Sequence, residues 1–224
     1  MAFSLGRVTA ALLAPAMAAA NTATPARAPD LDAVVRYEMR HVLPSGVSRV
    51  ETWSERLVRR GDTVWTERLG ATPRTAGAAS HREFDTDAAA RLLTVDARGQ
   101  VRLRYVDATR RLAVTVPPAE WATVGFDGRH DAAAHLVPPA LIDALPVAKN
   151  VCGGGDAWRV QKNGGWSHCV RWSAARQVAL RIESRSDDGR TSRSVTLLPQ
   201  AAAAVLPWRA VDGYDQREYN DFMD

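Results

Sequence analysis

Short segments in which apolar and polar side chains alternate recur along the chain, and this pattern restricts the fold more than any other feature. In the first of them Val35, Tyr37 and Met39 are separated by charged residues, and residues 101–106 and 178–183 repeat the alternation. Successive side chains of a β-strand point to opposite faces of a sheet, so a period of two indicates strands with one buried and one solvated face. We therefore expect a mainly β protein.

Turn-forming residues separate these segments at short intervals. Gly, Pro, Asp or Asn occurs in the gaps, as at residues 44–46, 60–62, 163–165 and 187–189. These residues supply the backbone conformations of tight turns, so consecutive strands are expected to pair as antiparallel hairpins. The predicted strands of this meander are residues 34–40, 50–58, 63–69, 92–96, 101–106, 112–116, 158–162, 166–172, 178–183 and 194–198.

The pattern changes between residues 117 and 149. Pro118 and Pro139 each stand at the start of a predicted short helix, and residues 131–136 are rich in alanine. Proline favours the first turn of a helix, where its missing N–H has no partner to lose. We expect these segments to be helical insertions and not further strands of the sheet. The apolar face of the last helix consists of Leu141, Ile142 and Leu145.

The first 20 residues have the organisation of a secretory signal peptide. A positive charge at Arg7 precedes the apolar run 8–17, and small residues follow at the spacing of a cleavage site. The run is shorter than the roughly 20 residues that cross a bilayer, which argues against the alternative of an N-terminal anchor. We expect residues 1–20 to be removed on export, residues 21–30 to form a disordered lead, and the mature protein to be periplasmic.

The two cysteines, Cys152 and Cys169, both lie in the mature region. An even number of cysteines in an oxidising compartment favours a disulfide. The predicted hairpin over residues 158–172 carries Cys169 and places Cys152 near its open end. A redox thiol and a metal site that includes His168 are the alternatives. Adjacent strand residues point to opposite faces, however, so His168 and Cys169 would not converge on one ion.

Composition and charge narrow the class of protein. With 46% hydrophobic and 24% charged residues, the chain has the composition of a globular protein. Its net charge of +4 is too small an excess to favour nucleic-acid binding. No later stretch approaches the roughly 20 apolar residues of a membrane span. We expect one domain over residues 31–207, no nucleic-acid partner and at most peripheral contact with a membrane.

Sequence motifs for catalysis or cofactor binding are absent. There is no Gly-x-Ser-x-Gly elbow, no phosphate loop and no His-x-His or His-Glu-x-x-His pair. His130 and His135 are five residues apart, which places them on different sides of a helix and favours structural roles. A composite metal site with Asp127, Asp131 or Glu83 is the alternative. We therefore expect a protein that is not an enzyme, with no cofactor and no resident metal.

The C-terminal segment 208–224 combines acidic and aromatic residues. Five acids and one arginine give residues 212–224 a charge of −4, and the acids recur at every third position. A solvated acidic end is one interpretation. The other is that the aromatic residues anchor this tail in a groove of the same chain or of a partner protein, because disordered tails seldom contain aromatic residues. These aromatic residues are Trp208, Tyr214, Tyr219 and Phe222.

The order of the predicted elements resembles the LolA/LolB lipoprotein-carrier superfamily, which includes the N-terminal domain of RseB. The nearest local similarity covers residues 172–198, where a tryptophan, a strand, an Asp-Gly turn and a final Val-Thr-Leu strand follow one another. The resemblance implies a strongly curved antiparallel sheet that forms an unclosed barrel. It also implies that short helices cover the concave side of that barrel.

In such a barrel the concave face is expected to bind a ligand. We expect an apolar or amphipathic molecule, such as a lipid or a lipoprotein acyl chain, because each buried methylene contributes about 0.8 kcal/mol. The alternatives are a periplasmic protein-interaction module that docks a partner through its tail or a sheet edge, and a metal-binding protein. The residues expected to line the face are Tyr37, Met39, Leu103, Tyr105, Leu180 and Ile182, with Leu141, Ile142 and Leu145 gating it.

Overall fold

The computed structural model describes residues 27–70, 84–149, 152 and 157–222. The predicted signal peptide, most of the lead after it, residue Glu83 and the glycines that follow Cys152 lie outside the described residues. The α-helices are α1 (His130–His135) and α2 (Pro139–Ala144), and three short 3-10 helices cover Pro118–Glu120, Pro207–Gly213 and Tyr219–Phe222. The strands are β1 (Leu31–Val42), β2 (Ser48–Arg60), β3 (Thr63–Arg68), β4 (Ala90–Val95), β5 (Val101–Asp107), β6 (Leu112–Val116), β7 (Val147–Lys149), β8 (Ala157–Asn163), β9 (Trp166–Ser173), β10 (Val178–Ser186), β11 (Thr191–Pro199) and β12 (Asp215–Glu218).

In the described residues these strands form one sheet that does not close. Its order is β12-β6-β5-β4-β3-β2-β1-β11-β10-β9-β8-β7. Within β1–β6 and within β7–β11, consecutive strands pair antiparallel, and β1 joins the two halves of the sheet by pairing with β11. The last strand, β12, runs parallel to β6. The predicted mainly β fold with an unclosed antiparallel sheet is confirmed.

The sheet buries apolar side chains on both faces. We call the face that carries Leu57, Leu93 and Leu103 the inner face, and the face that carries Val58 and Leu92 the outer face. Neighbouring residues such as Leu57 and Val58 therefore belong to different cores. This two-sided burial explains why β2 and β4 contain consecutive apolar residues instead of a strict alternation.

The helical segment between β6 and β7 covers part of the inner face, as expected. Phe126 and Ala134 belong to the inner-face core. Ile142 of α2 packs against Val170 and Ala179 on β9 and β10. Among the described residues, no helix is long and apolar enough to span a membrane.

The β8–β9 hairpin has the turn that its sequence predicts. Gly164 and Gly165 follow Asn163, and their φ angles are 54° and 79°. Two successive left-handed residues make a turn whose twist matches that of the flanking strands, and glycine adopts this conformation without a steric penalty. Cys169 on β9 is bonded to Cys152, across a Cα separation of 6.4 Å. The predicted disulfide is confirmed.

The sequence pattern does not predict β7 and β12. These strands have three and four residues, and every residue of β12 is exposed. Segments this short and this exposed show no apolar alternation. Their extended conformation comes from hydrogen bonds to β8 and β6, which are tertiary contacts.

Candidate functional site

A row of apolar side chains crosses the inner face through β10, β11, β1 and β2. Strand pairing places Ile182 beside Val195. Tyr37 lies between Val195 and Trp53, and the rings of Tyr37 and Trp53 stack with centroids 4.9 Å apart. All of these side chains keep part of their surface exposed. This apolar row is therefore a surface against which an apolar chain can lie.

A cavity of about 220 Å³ lies on the same face, over β2, β3, β4 and β5. Strand pairing puts Glu55 opposite Arg68, and Arg91 opposite Tyr105. Charged groups of both signs line this charged cavity, so it suits a polar group and not an acyl chain. Its charged side chains are Glu55, Asp87, Arg68 and Arg91. Glu67 also borders the cavity, but its carboxylate accepts a hydrogen bond from Trp65 on the outer face.

Tyr37 and Trp53 connect the apolar row to the charged cavity. Burial, together with the carboxylate of Glu55, raises the pKa of the Tyr37 hydroxyl well above its usual range. Tyr37 therefore stays neutral and donates a hydrogen bond to Glu55. The guanidinium of Arg68 lies over the Trp53 ring, 5.6 Å from its centroid. The two features form one continuous surface that is apolar at one end and charged at the other.

The residues that the sequence predicted to line a ligand face have different surroundings in the structure. Tyr37, Met39 and Ile182 are partly exposed on the inner face, where the apolar row lies. Tyr105 lines the charged cavity. Leu180 packs against the inner-face core. These residues come from strands at both ends of the chain, and the β1–β11 pairing brings them onto one surface.

The other residues that the sequence predicted to line or gate the ligand face lie in the inner-face core or in and next to α2. Leu103 is 0% exposed and is part of the inner-face core. Ile142 of α2 and Leu145, the residue that follows the helix, are buried, whereas Leu141 is 38% exposed. Leu141 therefore does not share the apolar face with its neighbours, which corrects the prediction. Leu141 and Ile142 point about 100° apart around the helix, and it is Ile142 that packs against β9 and β10. Leu145 follows the end of the helix in an extended conformation, so it does not continue a helical face.

Arg59 is an unusual feature of the inner face because its side chain is fully buried. Its terminal nitrogens donate to the carbonyls of Ala134 at 2.7 Å, Arg176 at 2.6 Å and Gln177 at 3.1 Å. Its Nε donates to the carbonyl of Pro29 at 3.0 Å, so the last residues of the predicted lead contact the domain. Burial lowers the pKa of Arg59 to about 10, which leaves it charged at neutral pH. Arg59 therefore ties β2 to α1, to the β9–β10 turn and to the segment before β1.

The two histidines of α1 have structural positions near Arg59. His130 Nε2 lies 3.1 Å from the carbonyl oxygen of Asp62, and His135 Nδ1 donates to the carbonyl of Gln177. Burial lowers the pKa of both imidazoles, and the positive charge of Arg59 acts in the same direction. Within the described ranges, no group of three or more His, Cys, Asp or Glu side chains is placed to hold a metal ion.

The C-terminal tail packs on its own domain, first on the outer face. Val211 is only 1% exposed and lies in the outer-face core with Trp208 and Tyr214 packed around it. The charged contact is peripheral, since Arg104 and Asp212 are 4.0 Å apart and the Asp212 side chain is 91% exposed. Apolar burial, and not ion pairing, therefore anchors this part of the tail.

The tail then passes around the edge of the sheet to the inner face. Strand β12 pairs with the edge strand β6, after which Tyr219 packs against the inner-face core. Phe222 contacts Phe84, with ring centroids 5.6 Å apart, and Phe84 contacts Tyr105 at 6.2 Å. The aromatic residues that the sequence suggested for partner binding thus contact the same chain.

Sequence reasoning did not single out Arg59, Glu55 or Arg91. The alternation of strand side chains between the two faces of the sheet nevertheless indicated these residues. Glu55 and Arg59 are each two residues from Leu57, and Arg91 is two residues from Leu93. Residues two apart on a strand point to the same face of the sheet. A charged residue at an inward-facing strand position needs either a buried hydrogen-bond partner or a ligand.

No protein-family model matches the chain, and no curated protein matches it. Several solved structures match most of the chain, with TM-scores of 0.40 or less and identities of 11% or less. An uncharacterized conserved protein from Thermus thermophilus has a TM-score of 0.40 and 8% identity, covering 83% of this chain and 90% of that one. A candidate outer membrane lipoprotein-sorting protein domain from Vibrio parahaemolyticus has a TM-score of 0.35 and 11% identity, covering 81% and 90%. A LolA superfamily protein from Nitrosomonas europaea has a TM-score of 0.20 and 9% identity, covering 79% and 90%. The superfamily that the sequence resembles is thus among these structural similarities.

Proposed function

We propose that this chain is an exported, non-enzymatic binding or carrier protein for an amphipathic ligand, such as a lipid or a lipoprotein acyl chain. The observation that carries the proposal is the continuity of the apolar row with the charged cavity on the inner face. An amphipathic molecule has the same two parts in the same order. Its acyl chain would lie along the row, and its polar end would enter the cavity.

The size of the apolar row suits a chain that is bound along one side. Each methylene that leaves water contributes about 0.8 kcal/mol, so four buried methylenes would contribute about 3 kcal/mol before the cost of immobilising the chain. The partly exposed rings of Tyr37 and Trp53 offer apolar area for this contact. Reversible binding, as a carrier requires, is the expected consequence.

Export to the periplasm is part of the same proposal. The disulfide between Cys152 and Cys169 supports it, because such bonds form and persist in oxidising compartments. An acyl chain that crosses an aqueous compartment needs a protein that shields it from water.

The test is titration of the mature protein with a fluorescent fatty-acid analogue that brightens in apolar surroundings. In the variant Val195→Asp a carboxylate stands in the middle of the apolar row, and Met39→Glu places one beside it. The matched control is Thr196→Asp, which carries the same new charge on the outer face of the same strand, opposite Arg36 and Arg181. We expect saturable, stoichiometric binding that weakens at least tenfold in the first two variants and is unchanged in the control.

Circular dichroism and thermal melting of each variant separate lost binding from lost folding. If both inner-face variants are folded and still bind the probe with unchanged affinity, the ligand binds outside the apolar row and the proposal is overturned. Absence of saturable binding to the parent protein would overturn it as well.

A further inference from the structure

The charged cavity has features of a binding site in its own right. We propose that it binds a zwitterionic group, in which an ammonium and a phosphate or carboxylate are joined by a short linker. The inference rests on the proposed function, because it names the polar end of the amphipathic ligand. Ligands of this zwitterionic class include phosphoethanolamine head groups of lipids and small zwitterions that are free in solution.

The volume of the cavity limits what can enter it. About 220 Å³ corresponds to roughly seven water molecules at ~30 Å³ each. Cavities that enclose a complete drug-sized ligand are larger, at about 300–1,000 Å³. The charged cavity therefore fits a head group or a small polar molecule, while an attached chain must lie outside it.

Arg91 provides the anion-binding group. Its Nε is buried and has no hydrogen-bond partner in the described part of the chain. Strand pairing holds Arg91 between Thr66 and Tyr105, and all three residues line the cavity. A buried guanidinium donor without an acceptor is unfavourable, so an incoming acceptor gains a preformed partner. The planar guanidinium matches two oxygens of a phosphate or carboxylate, and Arg68 adds a second positive charge.

The carboxylates of the charged cavity provide the partners for the ammonium. Glu55 and Asp87 line the same cavity as the arginines, and the carboxylate of Glu55 also accepts a hydrogen bond from Tyr37. The described residues show no ion pair between Arg68 or Arg91 and these acids. The arginines and the carboxylates of the cavity are therefore not neutralised by ion pairs with one another, and an ammonium satisfies carboxylates that a simple anion would repel. A purely anionic head group would leave these carboxylates unmatched.

The position of the cavity relative to the apolar row agrees with this assignment. Arg68 lies over the ring of Trp53, where the row ends. A head group in the cavity would place the first methylenes of its chain beside Trp53 and Tyr37. The same sheet would therefore recognise both parts of one molecule.

The experiment compares three amphiphiles of equal chain length by isothermal titration calorimetry, below their micelle concentrations. They are a lysophosphatidylethanolamine, a lysophosphatidylglycerol without an ammonium, and an uncharged monoacylglycerol; glycerophosphoethanolamine serves as the free head group. The variants are Arg91→Met and the exposed Asp87→Asn. The matched control is Arg102→Met on the outer face of β5.

We expect the parent protein to bind lysophosphatidylethanolamine most tightly of the three amphiphiles. Each cavity variant should lower the affinity for lysophosphatidylethanolamine at least tenfold and leave the affinity for monoacylglycerol unchanged. Arg102→Met should change neither affinity. Asp87→Asn keeps the inference testable if Arg91→Met fails to fold, because Asp87 lies on an exposed turn.

The outcomes distinguish the two proposals. If all three amphiphiles bind equally well, the head-group assignment is overturned while the carrier function stands. If only glycerophosphoethanolamine binds, and Arg91→Met abolishes that binding, the cavity is a site for a soluble zwitterion and the carrier function is overturned. If neither the amphiphiles nor the free head group bind, both proposals are overturned.

Discussion

Replacing Arg59 should destabilise the fold more than replacing any surface arginine. Arg59→Met keeps much of the volume but removes the donors that serve the carbonyls of Ala134, Arg176 and Gln177. Hydrogen bonds to a charged group contribute about 1.5–3 kcal/mol each, and removing the buried charge returns part of that loss. The net decrease in the free energy of unfolding should be about 3–5 kcal/mol, a large share of the roughly 5–15 kcal/mol typical of a domain.

The assay is urea unfolding at neutral pH, followed by tryptophan fluorescence. With an m-value of about 2 kcal/mol/M, the transition midpoint should fall by roughly 1.5–2.5 M. The control is Arg36→Met, on the exposed outer side of β1, which should change stability by no more than about 0.5 kcal/mol. A decrease below about 1 kcal/mol for Arg59→Met would show that the carbonyls find other donors and would refute the reasoning.

Three further predictions concern the disulfide, the tail and pH. Cys152→Ala with Cys169→Ala should lower the free energy of unfolding by about 3 kcal/mol, because the bond closes a loop with a sequence separation of 17; equal stability in urea would contradict this. Val211→Asp puts a carboxylate into the outer-face core and should lower the melting temperature by roughly 5 °C or more, whereas the exposed Asp212→Asn should not. Equal melting temperatures would argue against a docked tail. Stability should be full above the ordinary histidine pKa of about 6.5 and should fall as the pH drops below it, because the unfolded chain then binds protons that the folded α1 histidines, with lowered pKa values, do not. Chemical unfolding at pH values from about 7.5 to 5.5 checks this, and a flat profile would exclude a contribution from these histidines.

The alternation of side chains determined most of the secondary structure. Strands such as β1, β5 and β11 appear where residues 34–40, 101–106 and 194–198 predict them. The Gly-containing turns and the short helices after Pro118 and Pro139 also follow the sequence. These features are local, because a strand face repeats every second residue and a turn depends on two or three neighbours.

The sequence also indicated that the tail is too aromatic to remain solvated, but it left open whether the tail docks on the same chain or on a partner. The structure places Val211 on the outer face and Tyr219 on the inner face. The tail reaches both because the last strand, β12, pairs with β6 at the sheet edge. That edge exists only once the other strands are assembled.

The site depends still more on tertiary structure. Tyr37 meets Val195 because β1 pairs with β11, which lies more than 150 residues further along the chain. Arg59 acquires its acceptors from residues up to 118 positions away. A charged residue on a strand shows in the sequence that something must satisfy it, because a buried charge without a partner is unstable. Only the packed structure decides whether that partner is a backbone carbonyl, as for Arg59, or a ligand, as we propose for Arg91.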